Sequence, residues 1–254
     1  MNKYLDITPA TYSNRMSIAI RKSKPKYNQV LHGPSQQKLF PILDHCRTRG
    51  VEVSTCLLEL TDMIKLSKIT SELLAESVPD VFIANAGINI NHGRDNSGEN
   101  IEAIANLVDV NIKSTLIMTS LVAKAMRNRG HGQIGLVSSL AAHFGLPVTP
   151  SYSASKSAVK AYGEGLRGWL APAGVGVTVI MPGYIESEMC DQMPGPKPFL
   201  LKASQAAEVI FYGLQRNKAR VSFPLPLNLG TWFLGILPAP ISLWILKQLN
   251  YSHG

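Results

Sequence analysis

The sequence predicts an α/β fold, a single doubly wound parallel sheet with helices on both faces. Three observations carry that expectation. Short apolar runs of strand length, such as residues 81–85 and 134–137, alternate with longer amphipathic stretches of helical length. The run 134–137 ends in the polar pair Ser138-Ser139, at the place where such a sheet puts its ligand crevice. The chain has 254 residues, 45% of them hydrophobic, and so can bury one large core.

In chain order, residues 3–8 suit a first strand, although Asp6 is an awkward guest in a central one. Residues 16–26 are basic and interrupted by Pro25, which leaves room for at most a short helix. Residues 29–32 read as the second strand and Gly33-Pro34-Ser35 as its turn. An amphipathic helix is expected over 37–49, closed by Gly50, with Pro41 tolerable only near its start. Residues 51–60 read as the third strand, and Thr61-Asp62 caps the helix that follows. The fourth strand, 81–85, exits into Asn85-Ala86-Gly87. A long amphipathic stretch, 100–129, carries Asn111 midway. The strand 134–137, a helix running from Tyr152 to Leu170 and a strand over 174–181 complete the alternation. Pro182-Gly183 then opens a loop whose Met189, Met193 and prolines suggest a mobile, partly apolar lid, with Glu188 and Asp191 on a solvated side.

The chemistry concentrates between residues 133 and 156. Tyr152 and Lys156 stand four apart in sequence that reads as helix, so they share a face. An ammonium beside a phenol favours the phenolate and lowers the tyrosine pKa from its usual value of about 10. Tyr152 is thereby a candidate general acid or base for interconverting a carbonyl and an alcohol. Taken alone, a Tyr-x-x-x-Lys pair is more often an incidental pair of surface neighbours; its context is what singles it out.

That context is a set of motifs in a fixed order. Ser139 precedes Tyr152 by thirteen residues, Tyr-Ser-Ala-Ser-Lys ends at Lys156, Asn111 sits in Val-Asn-Ile, and Asn85-Ala86-Gly87 and Pro182-Gly183 each follow an apolar strand. Over residues 28–190 the chain resembles the short-chain dehydrogenase/reductase family, with its Rossmann-like fold. The resemblance implies hydride transfer between a nicotinamide and a carbonyl or alcohol carbon, with Asn111, Ser139, Tyr152 and Lys156 as the catalytic set, Asn111 distorting its helix and holding the water of a proton relay. It further implies cofactor contacts from Thr8, Ser13 and Arg15, from Glu59 and Leu60, from Asn85, Ala86 and Gly87, from Tyr152 and Lys156, and from Pro182, Gly183, Ile185 and Ser187. Substrate contacts are expected from Ala141, His143, Phe144 and Pro147 and from the lid around Tyr184 to Met193, and an apolar substrate fits both that lid and the C-terminal tail. His143 also reads as an ordinary loop residue. Assembly as a homodimer or homotetramer goes with the family.

One motif departs from the pattern. Where the family has three glycines in its first loop, this chain has Pro9, Ser13 and Arg15. Proline removes an amide donor, and the arginine side chain stands where the cofactor should lie, unless it contacts phosphate itself. The alternative reading is therefore a scaffold or binding protein that kept the fold and lost most cofactor affinity. The cofactor is NADP or NAD. No charged residue ends the second strand to choose between them, and Lys22, Lys24 and Arg47 lean towards NADP.

Composition narrows the partners. The net charge of +8 is spread over residues 21–26, 47–49, 124–129 and 216–220 without interleaved aromatics, which argues against nucleic acid. Three cysteines without metal spacing suit a reducing compartment and give no metal site, and the first twenty residues lack the apolar block of a signal peptide. A cytoplasmic protein is expected, with peripheral membrane contact as an option. That option comes from residues 221–246, which carry no charge and contain Trp232 and Trp244, while four prolines break any continuous span. The chain thus divides into a domain over 1–220 and an apolar extension over 221–254. The extension reads equally as a membrane-surface element or as a cover for the pocket or a subunit contact.

Overall fold

The computed structural model describes residues 2–7, 27–33, 48, 53–92, 97–193 and 195–251. Thr8, Pro9, Ser13 and Arg15, the basic segment 16–26 and all but Thr48 of the expected helix 37–49 lie outside the described residues.

Among the described residues, seven strands form one parallel sheet: β1 (Asn2–Ile7), β2 (Tyr27–Gly33), β3 (Val53–Leu57), β4 (Val81–Ala84), β5 (Gly132–Val137), β6 (Val175–Pro182) and β7 (Arg220–Phe223). Their order is β3-β2-β1-β4-β5-β6-β7. The winding reverses between β1 and β4, which puts the ligand crevice beyond the C-terminal ends of these central strands. β1 is fully central, since Asp6 registers with Leu31 on one side and Ile83 on the other. The strand expected over 51–60 is described from Val53 to Leu57. The next helix, α1 (Met63–Glu76), begins at the expected cap, with Asp62 Oδ1 accepting from the Lys65 amide at 2.9 Å.

The stretch expected as one long helix is built in three pieces. Asn100 caps α2 (Ile101–Val108) by accepting from the Ala103 amide at 2.9 Å. A π-helical turn, Asp109–Ser114, interrupts the run at Asn111, and α3 (Thr115–Arg129) continues to Gly130, whose left-handed φ of 83° ends it. Widened turns of this kind are rare and are frequently found at functional sites.

Alternating strand residues feed two cores. Phe82, Ile134, Leu136 and Val177 pack with Leu66, Met118, Val122 and Val159 on one face; Ile83, Val137 and Ile180 pack on the other with α6 (Ala203–Gln215), which follows the single turn α5 (Glu188–Asp191), through Ala206, Ala207 and Ile210. The first face includes α4 (Pro150–Leu170), which comes very close to the sheet at Gly163. A Cβ there would lie 2.7 Å from Val179 Cγ2 and 2.9 Å from Leu136 Cδ1. Gly163→Val is therefore expected to lower the unfolding free energy by about 1–3 kcal/mol through overpacking. The measurement is the urea midpoint at unchanged slope. An unmoved midpoint would contradict this close approach.

The C-terminal region starts as part of the sheet. β7 spans the expected boundary at 220/221, because Val221 and Phe223 are buried and register with Ile180 and Pro182. Beyond it, α7 (Leu225–Ile236) and α8 (Ala239–Gln248) form a helical hairpin, tied by the Ser242 hydroxyl donating to Leu234 O at 2.8 Å. No helix among the described residues is long and apolar enough to cross a membrane.

Candidate active site

The ends of β4, β5 and β6 and the first turn of α4 meet at one point. Ser138 and Ser139 leave β5, Pro150 opens α4, and the buried Tyr152 and Lys156 project from its first two turns. Lys156 is held on both sides of its stem. Its carbonyl accepts from Ser138 Oγ at 2.6 Å, and its ammonium donates to Val137 O at 3.0 Å while lying 5.6 Å from the Tyr152 ring centroid. Ser139 Oγ accepts from the Ala141 amide at 3.1 Å and faces Pro182 O at 3.5 Å. Asn111 spends its amide on the neighbouring loop. Its Oδ1 accepts from the Ile88 amide at 2.8 Å, and its Nδ2 donates to Ile88 O at 2.9 Å and Ser155 Oγ at 3.0 Å. The π turn thus aims Asn111 at the strand exit that carries Asn85, Ala86 and Gly87.

These groups stand at one end of a cavity of about 610 Å³. Asn85, Gly87, Ser139, Tyr152 and Lys156 line that end; apolar side chains such as Leu146, Met189, Met193, Leu227, Leu234 and Leu246 make most of the remainder. Pro182, Gly183, Ile185 and Ser187 line it too, as do Ala141 and Tyr184. Of the other expected contacts, Glu59 is exposed just after β3, while Leu60 and Ala86 are buried in the core; none of the three lines the cavity.

His143 is placed differently from the substrate role expected of it. It lies outside the cavity lining, and its Nε2 sits 3.3 Å from Asn228 Oδ1 of α7. Burial, opposed by that contact, holds the imidazole below its ordinary range. A Cβ at Gly235 would come 2.6 Å from His143 O, so α7 is seated directly on this loop. His143 fastens the cavity roof.

Two further devices escape a sequence reading. Glu99 receives the Ser151 amide at 3.2 and 3.3 Å and the Ser151 hydroxyl, so a carboxylate stabilises the N-terminus of the helix that presents Tyr152. Across the cavity, the Tyr184 hydroxyl donates to the Tyr251 hydroxyl at 3.3 Å, and Tyr251 donates to Pro196 O at 2.8 Å. Burial first, and then the Tyr251 contact, keep the Tyr184 phenol far above its usual range, so it stays neutral. Neither device has a local motif. Glu99 and Ser151 are 52 residues apart, and Tyr184 and Tyr251 are 67 apart.

The residues present fit the nicotinamide end of a dinucleotide. Asn85 Nδ2 is buried in the cavity wall without a hydrogen-bond partner among the described residues, a donor awaiting an acceptor. At Gly87 a Cβ would stand 3.1 Å from Lys156 Nζ and 3.4 Å from Asn111 Oδ1, so any larger residue would press on both groups.

Comparison with known proteins identifies the family and the fold. The family model described as short chain dehydrogenase matches residues 16–196. An uncharacterized oxidoreductase of Myxococcus xanthus is 32% identical over 207 residues, covering 80% of each chain. Among solved structures, a short-chain dehydrogenase from Sphingobium yanoikuyae in complex with NADPH superposes with a TM-score of 0.80 at 18% identity, covering 98% of this chain and 94% of that one. The bulky-bulky ketone specific alcohol dehydrogenase from Comamonas testosteroni gives 0.79 at 17% identity, covering 100% and 97%.

Proposed function

Because the chain belongs to the short-chain dehydrogenase/reductase family, oxidoreductases acting on CH–OH and C=O groups, we propose that it interconverts a bulky apolar ketone and its alcohol with NADP(H) as the preferred cofactor. The observation that carries this reading is the placement of Ser139, Tyr152 and Lys156 at the polar end of a cavity otherwise walled by apolar side chains. When bound, the nicotinamide supplies or takes up the hydride. Asn85, Gly87, Lys156, Pro182, Gly183, Ile185 and Ser187 would hold it. The Tyr152 hydroxyl gives a proton to the substrate oxygen during reduction and removes it during oxidation. Ser139 Oγ donates a hydrogen bond to the same oxygen and stabilises its developing charge. The Lys156 ammonium stabilises negative charge on the Tyr152 oxygen. Asn111 keeps the loop at Ile88 and the helix at Ser155 in register around that proton path.

The preference for NADP rests on the basic residues Lys22, Lys24 and Arg47, and the structural neighbour solved with NADPH supports it. Thr8, Ser13 and Arg15 complete the reading at the pyrophosphate end, with Glu59 and Leu60 towards the adenine. The hairpin α7–α8 acts as an extension that roofs the pocket of the main domain, and the chain assembles as a homodimer or homotetramer.

Fluorescence titration with NADPH and NADH, followed by turnover of ketones of increasing apolar size, tests the proposal. Tighter binding of NADPH is expected, with kcat/KM rising about four-fold per added methylene until the cavity is full. Binding of neither nucleotide would support the alternative of a scaffold that lost its cofactor.

A further inference from the structure

We propose that the outer face of the α7–α8 hairpin docks on an anionic lipid bilayer and turns the mouth of the cavity towards it. Nine of the seventeen large apolar side chains that stand exposed among the described residues fall between Leu225 and Leu249. The hairpin is apolar on both of its faces. Leu227, Leu234 and Leu246 point into the cavity, whereas Leu229, Trp232, Ile236, Leu243 and Trp244 point out. No charge interrupts residues 221–246, and a patch of this size on a water-facing surface marks a contact site.

Charge and geometry choose the occupant. From residue 209 to the end the chain has no acidic side chain, and its charges are Arg216, Lys218, Arg220 and Lys247. Arg220 pairs with Glu164; Arg216, Lys218 and Lys247 are exposed and lie on either side of the apolar run in sequence. Two tryptophans on short helices bracketed by cations suit the interfacial zone of an anionic membrane. The helices have 12 and 10 residues, too short to span, so the hairpin lies in the interface. A second copy of the chain fits the face less well. Phe233 and Leu249 both line the cavity and are half-exposed on this side, so a protein seated there would stopper the mouth, whereas acyl chains extend it. The orientation, though not the docking itself, rests on the cavity being the substrate site.

The test is flotation of the full chain with vesicles of phosphatidylcholine alone and of phosphatidylcholine mixed with phosphatidylserine. The double variant Trp232→Glu with Trp244→Glu is run beside it, since neither side chain lines the cavity. The full chain is expected to float with the mixed vesicles, more weakly with the neutral ones, and less as salt is raised. The variant should lose binding by about ten-fold at an unchanged melting temperature. Equal flotation of both proteins, or of neither, overturns the proposal. So does a full chain that ignores vesicles and sediments as a dimer which the variant splits, because the face then belongs to a second copy. Binding is read without turnover. An inactive protein that still floats would refute the enzymatic reading alone, and an active one that does not float would refute the docking alone.

Discussion

Tyr152→Phe is expected to reduce turnover by roughly 10²–10⁴-fold, the usual contribution of a positioned proton donor, while the affinity for NADPH stays within about two-fold. The change removes one oxygen and nothing else. The ring keeps its place among Leu107 and Ala141, and α4 keeps its Ser151–Glu99 cap. Loss of rate without loss of cofactor affinity separates a proton-transfer role from a structural one. Single-turnover rates and a fluorescence titration on the same preparation give both numbers. Undiminished turnover in this variant would remove Tyr152 from the mechanism.

Lys156→Ala is expected to damage two steps at once. The ammonium lies 5.6 Å from the Tyr152 ring centroid and donates to Val137 O at 3.0 Å, and its side chain is buried beside the strand ends proposed to receive the cofactor. Turnover should fall by about 10²–10³-fold, and the NADPH dissociation constant should rise by about ten-fold, because both a charge and a cofactor contact are lost. Adding Tyr152→Phe to this variant should cost little further rate, since groups that act as one unit are not additive. Additive losses would mean that the lysine works independently of the tyrosine. A melting temperature measured in parallel identifies any share of the effect that comes from removing a buried side chain.

The proposed catalytic set was legible because its chemistry is written in short segments. The i, i+4 pair of Tyr152 and Lys156 needs only a helix to bring its members together, and Ser139 needs only the end of a strand. Asn111 could be placed within an amphipathic run and joined the proposed catalytic set through the family resemblance; its neighbours' propensities carry no signal for the π turn around it. By contrast, α6 carries a readable stripe in Ala206, Ala207, Ile210 and Leu214 that the sequence expectation passed over. Its position after a proline-rich loop hid it.

By itself the sequence determined the alternating α/β architecture and the i, i+4 pair of Tyr152 and Lys156, since each depends on local periodicity or on spacing within a turn of helix, while the family resemblance added Asn111 and Ser139 to the proposed set. Only the tertiary structure decided the rest. β7 is a strand because β6 offers it an edge, and no four-residue segment specifies that alone. Whether His143 faced a substrate or a helix depended on where α7 settled, 85 residues further along the chain. The Glu99 cap and the Tyr184–Tyr251 contact join residues whose separation in sequence carries no periodic signal. Their pairing is fixed by packing around the shared core, which acts on every element at once and leaves no local mark.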